Sequence, residues 1–231
     1  MKFSIKIVFG ILFIGSLTAC SDSGDDEEGM SRFQIRVSNV SANQPLTPVA
    51  VVLHQSGYQA WSLGSAASNG LEKLAEGGDT ADFLAAANAD ATVSSTAVGT
   101  GVIVPGASET ITIAATEKTG FRLSLASMLA NTNDAFTGFV NHSVSSMKVG
   151  ESHTVYAKVY DAGTEANSEA SGTIPGPADG GTGFDASRDD LIDKVTIHAG
   201  VVSVNDDLAS SVLTESHRWN GSVAKIEITR M

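Results

Sequence analysis

From residue 32 onward the apolar and polar positions alternate mainly with a period of two. Phe33, Ile35 and Val37 alternate with Gln34, Arg36 and Ser38, which predicts a half-buried strand. Residues 49–53 are a continuous apolar run, short enough to be a buried strand. Further strands are expected over 101–104, 109–114, 121–128, 154–160, 195–198 and 223–229. Turn signals at Pro105-Gly106, Thr119-Gly120 and Val149-Gly150 separate several of them. Many short strands with turns between them predict an all-β fold, an antiparallel β-sandwich. The exception lies between Asn69 and Ala89. There Asn69 or Gly70 opens a short helix through Leu71, Leu74 and Ala75 that Gly77-Gly78 stops. Asp79 or Thr80 then caps an Ala-rich helix carrying Phe83 and Leu84. From 161 to 193 the periodicity fades around Pro175-Gly176-Pro177 and Gly180-Gly181, as in a long loop with a functional or poorly ordered role.

The first residues follow a different logic. Lys2 and Lys6 precede an apolar stretch from Ile7 to Ile14, and Leu17-Thr18-Ala19-Cys20 follows. The run is too short to span a bilayer comfortably, which takes roughly 20 residues. Small residues ahead of a cysteine resemble the bacterial lipoprotein signal, in which cleavage before the cysteine exposes it to lipidation. Cys20 is the only cysteine in the chain, so neither an intramolecular disulfide nor a Cys-based zinc site is available. Residues 1–19 are thus expected to be a signal peptide, 20–31 a lipidated Cys20 with an acidic tether, and 32–231 one β-sandwich domain. Ser21 rather than Asp after Cys20 favours the outer membrane by analogy with Gram-negative sorting. The face of that membrane stays open.

Charge narrows the partners. Removal of Lys2 and Lys6 takes the formal charge from −12 to −14, which argues against nucleic acid and other polyanions. An acidic surface suits divalent cations, though solubility alone also explains it.

The densest chemistry is Asp161-Ala162-Gly163-Thr164-Glu165, with Asp134 upstream. Acids at strand-to-loop junctions offer the oxygen ligands that a hard cation such as Ca²⁺ takes. The plain alternative is a turn, with Asp161 in an Asx-type bond and Glu165 solvated. An EF-hand is excluded, because Gly163 stands at the third position and Gly172 where the closing Glu belongs. His54, His142, His153, His198 and His217 form no i, i+4 pair and no HExxH, and no G-x-S-x-G elbow is present. Tyr58 and Trp61, in a Gly/Ser loop with Leu63, suit either a partner-binding surface or a satellite core over the helices.

Several stretches together resemble the spondin domain, the N-terminal β-sandwich of the F-spondin family. They begin with FQIRVSN from Phe33, LTPVAVVLH from Leu46 to His54 and GLEKLAEGGD from Gly70 to Asp79. SML from Ser127 leads on to Asp134, and the DAGTE pentad, IPGP from Ile174 and VAKI from Val223 follow in the same order. The resemblance covers nearly all of 33–229. It implies a C2-like sandwich with one Ca²⁺, whose acidic ligands map to Asp134, Asp161 and Glu165. Glu165 replaces an acid that is Asp in some relatives. Animal members also carry cysteines near these motifs, which these stretches lack, and continue into adhesive domains, so their matrix partners do not carry over.

Together these readings describe a non-enzymatic, lipid-anchored, calcium-binding module that contacts an unknown protein or glycan, held to the membrane through Cys20. Two alternatives remain: a carboxylate-dependent hydrolase of envelope or extracellular polysaccharide, and a purely structural envelope lipoprotein.

Overall fold

Strand β1 (Ser31–Asn39) realises its alternation directly: Phe33, Ile35 and Val37 are buried, and Gln34 and Arg36 face solvent. The computed structural model describes residues 1, 29–116, 119–188 and 192–231. Cys20, the 1–19 leader and most of the 20–31 tether lie outside the described residues. Strand β2 (Ala50–His54) is buried along its whole length, because both faces of its sheet are covered. Val51 and Leu53 point into the interior between the sheets, while Ala50 and Val52 point outward beneath two helices.

Those helices, α1 (Asn69–Gly77) and α2 (Ala81–Asn88), are the expected insertion. The Ser68 side chain caps α1 by accepting from Leu71 N at 3.2 Å. At α2 the capping oxygen comes from Asp79, whose Oδ1 accepts from Ala81 N at 2.9 Å. Leu71, Leu74, Phe83 and Ala87 seal the outer face of the sheet against Val52, Ala126 and Phe136. Burial of such a side chain stabilises by about 1.5–3 kcal/mol. Among the described residues no helix is long and apolar enough to cross a membrane.

The remaining strands are β3 (Val93–Val98), β4 (Ser108–Ala115), β5 (Arg122–Met128), β6 (Ala135–Ser143), β7 (Ser152–Asp161), β8 (Thr196–Ile197) and β9 (Ala224–Arg230). They pair antiparallel in the order β3-β2-β5-β6-β7-β9-β1-β4, with β8 on the far end of β7. Strand β7 belongs to both halves: Ser152–Ala157 pairs with β9, and Lys158–Asp161 pairs with β6. The sheet therefore folds over itself along β7. Its two free edges, β3 and β4, meet through Ser95 Oγ donating to the Ala114 carbonyl at 2.7 Å rather than through a ladder. The all-β reading with a short helical insertion holds, and the sandwich is drawn into a near-barrel.

Two strands were not expected. β3 is a half-exposed edge strand with a weak apolar signal; the neighbouring 101–104 run instead makes only a bridge, Ile103 to Leu46. β6 is interrupted by Gly138, which blunts its pattern. A Cβ there would lie 2.0 Å from the Leu125 carbonyl oxygen, beside the irregular register between Leu123 and Leu125, so the close approach admits only glycine. The long loop after β7 is also tied down along much of its described length. Asp179 Oδ2 accepts from Gly172 N at 2.6 Å, and Asn131 Oδ1 accepts from Ala178 N at 2.9 Å.

Candidate metal centre

The β6–β7 ladder pairs Ala135 with Asp161, which sets Asp134 beside the start of the pentad. The Asp134 carboxylate is fully buried, and the pentad backbone wraps it. Its Oδ2 accepts from Thr164 N at 2.9 Å and from Glu165 N at 3.2 Å. Its Oδ1 is buried without a hydrogen-bond partner among the described residues. The turn depends on Gly163, at φ 71°, where a Cβ would stand 2.4 Å from the Lys194 carbonyl oxygen of the returning chain.

Asp161 occupies the last position of β7 and spends both oxygens locally. Oδ1 accepts from Gly163 N at 2.7 Å, and Oδ2 accepts from Asn167 Nδ2 at 2.6 Å. That is the Asx-type bond of the turn reading. Glu165, by contrast, is 2 % exposed and not solvated. Its Oε2 accepts from Asn133 Nδ2 at 3.2 Å. The Arg188 Nη2 lies 2.7 Å from Oε1, an ion pair in distance but without hydrogen-bond alignment.

A fourth acid joins them that sequence reasoning missed. Glu76, near the C-terminal end of α1, is 1 % exposed. Its Oε2 accepts from Asp185 N at 3.2 Å, the Thr164 hydroxyl lies beside the carboxylate, and Oε1 has no partner. The only signal was an acid inside the Gly70–Asp79 motif, next to the apolar positions Leu74 and Ala75. Telling it from the less buried Glu72 requires knowing what packs there. Arg188, an isolated base in a polar loop, carried no signal at all.

Burial dominates the electrostatics. It pushes Asp134 up to about 7, helped by the charges of Asp161 and Glu76 and opposed by the two pentad amides. Burial likewise pushes Glu165 up to about 8, opposed by Arg188 and Asn133 and reinforced by Glu76 and Asp134. Glu76 is raised by burial as well, with the Thr164 hydroxyl and the Asp185 amide opposing.

The structure thus brings Asp134 and Glu165 into one buried locus and places Asp161 at its edge. As the side chains stand, no three His, Cys, Asp or Glu groups among the described residues converge closely enough to hold an ion. The donor chemistry nevertheless fits a hard cation: buried carboxylate oxygens with no donor are what such an ion satisfies.

Tyr58 and Trp61 are core, not surface. Trp61 packs edge-on against Phe136 at 5.0 Å and Tyr160 at 5.5 Å, and Tyr58 lies 4.9 Å from His54. Both are nearly buried over the helices, so their rings are not presented to a partner; Leu63 of the same loop is exposed.

The fold defines an all-β module with buried acids lodged at a strand-to-loop end. The family model of Spondin_N matches residues 40–175, more than half of the chain. The chain belongs to the spondin N-terminal domain family. The match begins after β1 and ends within the loop beyond β7, so β1 and β9, which complete the sheet, lie outside it. No curated protein matches the chain.

Proposed function

We propose that this protein is a lipid-anchored spondin module of the bacterial outer envelope that binds one Ca²⁺ and uses its loops for adhesion. Asp134, Asp161 and Glu165 supply the acidic ligands, and Cys20 carries the anchor. The partner is a protein or glycan of the matrix or envelope, not a nucleic acid. One observation carries the metal reading: Asp134 is buried, held by two pentad amides through Oδ2, and keeps Oδ1 without a donor. Such an oxygen is costly unless something positive meets it.

Binding is favoured over hydrolysis by the same geometry. Asp134 and Glu165 are buried and hydrogen-bonded to the chain, so neither carboxylate is presented to a substrate in solution. The cleft of about 340 Å³ lined by Lys158, His198 and Trp219 contains no carboxylate.

Calorimetric titration of Ca²⁺ into the chelator-stripped protein tests the metal. One-to-one saturable binding with a higher melting temperature is expected, as linkage requires for a ligand of the native state. No binding reduces the pentad to a turn motif. Palmitate labelling, and accumulation of precursor under globomycin, test the anchor at Cys20; absence of both removes it.

A further inference from the structure

Among the described residues, Glu76, Asp134 and Glu165 are at least 98 % buried and each keeps one oxygen without a hydrogen bond, Oε1, Oδ1 and Oε1 respectively. Glu169, further along the loop, is as buried and likewise keeps Oε2 unpartnered, while its Oε1 accepts from Val202 N at 3.1 Å. The first three are close enough that the charge of Glu76 acts on both Asp134 and Glu165. The Thr164 hydroxyl links the group, lying beside Glu76 and 3.4 Å from Asp134 Oδ2. Among the described residues the cation paired with this group is Arg188, at 2.7 Å from Glu165. One positive charge against three acids leaves the locus short of cations.

Ligand supply points the same way. Ca²⁺ takes 6–8 oxygens. Of the three acids expected from sequence, Asp161 already has both oxygens in hydrogen bonds, and Asp134 has one. Glu76 brings a carboxylate oxygen with no partner among the described residues from a separate element, α1, near enough for its charge to act on both Asp134 and Glu165.

We propose that Glu76 is a further ligand of the cation held by Asp134, Asp161 and Glu165, and that Arg188 is the counter-charge a cation displaces from Glu165. The proposal rests on the calcium reading above and adds the ligand from α1 and the competitor. It also couples the site to the long loop. Arg188 donates to the carbonyls of Thr173, Thr182 and Gly183, so its departure from Glu165 changes what holds that loop against the site.

The test is titration of Ca²⁺ into chelator-stripped parent, Glu76→Gln and Arg188→Gln, with melts of each in chelator and in Ca²⁺. The parent should bind one ion. Glu76→Gln should bind about tenfold more weakly or worse, while its melting temperature in chelator equals or exceeds that of the parent. Arg188→Gln should bind several-fold more tightly. Parent-like affinity in Glu76→Gln overturns the ligand role, and unchanged or weaker binding in Arg188→Gln overturns the competitor role. A parent that binds no Ca²⁺ defeats the calcium reading itself and both roles with it. Should Glu76→Gln not fold, Glu76→Asp replaces it; the shortened acid should bind more weakly, and unchanged affinity again overturns the ligand role.

Discussion

Two regions of this molecule are equally dry and oppositely built. Between the sheets, Phe33, Ile35, Leu125, Ile226 and Ile228 fill the interior with hydrocarbon, and β1 has a ladder on both sides from Phe33 to Ser38. At the β6–β7 end, burial is as complete, yet the space holds Glu76, Asp134 and Glu165. Hydrocarbon is stabilised by leaving water, whatever the solvent contains. A buried carboxylate is destabilised by the same move until a cation or donor meets it. The first region should therefore ignore calcium and pH, and the second should respond to both.

The largest effect should come from the hydrocarbon side. Phe33 meets Phe121 edge-on at 6.1 Å and has the Arg230 guanidinium over its face at 4.9 Å. Phe33→Ala should cost about 3–5 kcal/mol in denaturant melts, with the same loss in calcium and in chelator. A calcium-dependent loss would erase the distinction between the regions.

Next come the acids. Asp161→Ala should lower the melting temperature by several degrees in calcium, because it removes the head of the pentad turn along with a ligand. Identical melts with and without the ion would take Asp161 out of the site. Asp134→Asn keeps an acceptor for the Thr164 and Glu165 amides and removes the charge. It should melt above the parent in chelator and below it in calcium. If both differences have one sign, the buried charge is not what calcium answers.

A smaller effect concerns pH. Burial holds Asp134 at about 7 and Glu165 at about 8, above the ordinary carboxylate range, with Glu76, Asp161 and Arg188 the charged groups around them. The folded state thus keeps protons that the unfolded chain releases near pH 4. The stability these groups contribute is complete below about pH 4 and is lost as pH rises through about 7 and then 8. Melts of the calcium-free protein should fall over that window, by at most about 1.4 kcal/mol per pH unit per group, and saturating calcium should flatten the curve. A rise in stability with pH would contradict the burial of the acids.

The smallest effect is a control. Lys73 pairs with Asp82 at 2.6 Å on the helix surface, Lys73 partly and Asp82 well exposed. Lys73→Ala should move the melting temperature by no more than about a degree, unlike Arg188→Gln at the buried pair.

The same contrast explains what could be read in advance. Hydrocarbon burial writes itself into periodicity, so β1, β2, both helices and most of the other strands were legible. β3 was hidden because an edge strand needs little apolar content, and β6 because Gly138 answers to a neighbouring carbonyl rather than to its own strand. The acids Asp134, Asp161 and Glu165 stood out through one short motif and its upstream partner, and the β6–β7 register does set that motif beside Asp134. Glu76 and Arg188 reach the same point from α1 and from a loop without periodicity. Only the packing reveals that one helical acid is dry while Glu72, four residues earlier, is less so. Tyr58 and Trp61 carried an ambiguous signal for a similar reason: an aromatic in a polar loop is core or contact according to what lies beneath it.

The position of β9 has a consequence for how the molecule is made. It lies between β7 and β1, so the earliest strand of the sheet is joined to β7 only by the strand furthest along the chain. Without residues 224–230, β1 and β4 keep their own ladder but have none that joins them to β7. Contacts that span nearly the whole domain make folding slow. Clipping those seven residues should leave β1 and β7 unjoined, and protease sensitivity of the shortened chain would report it.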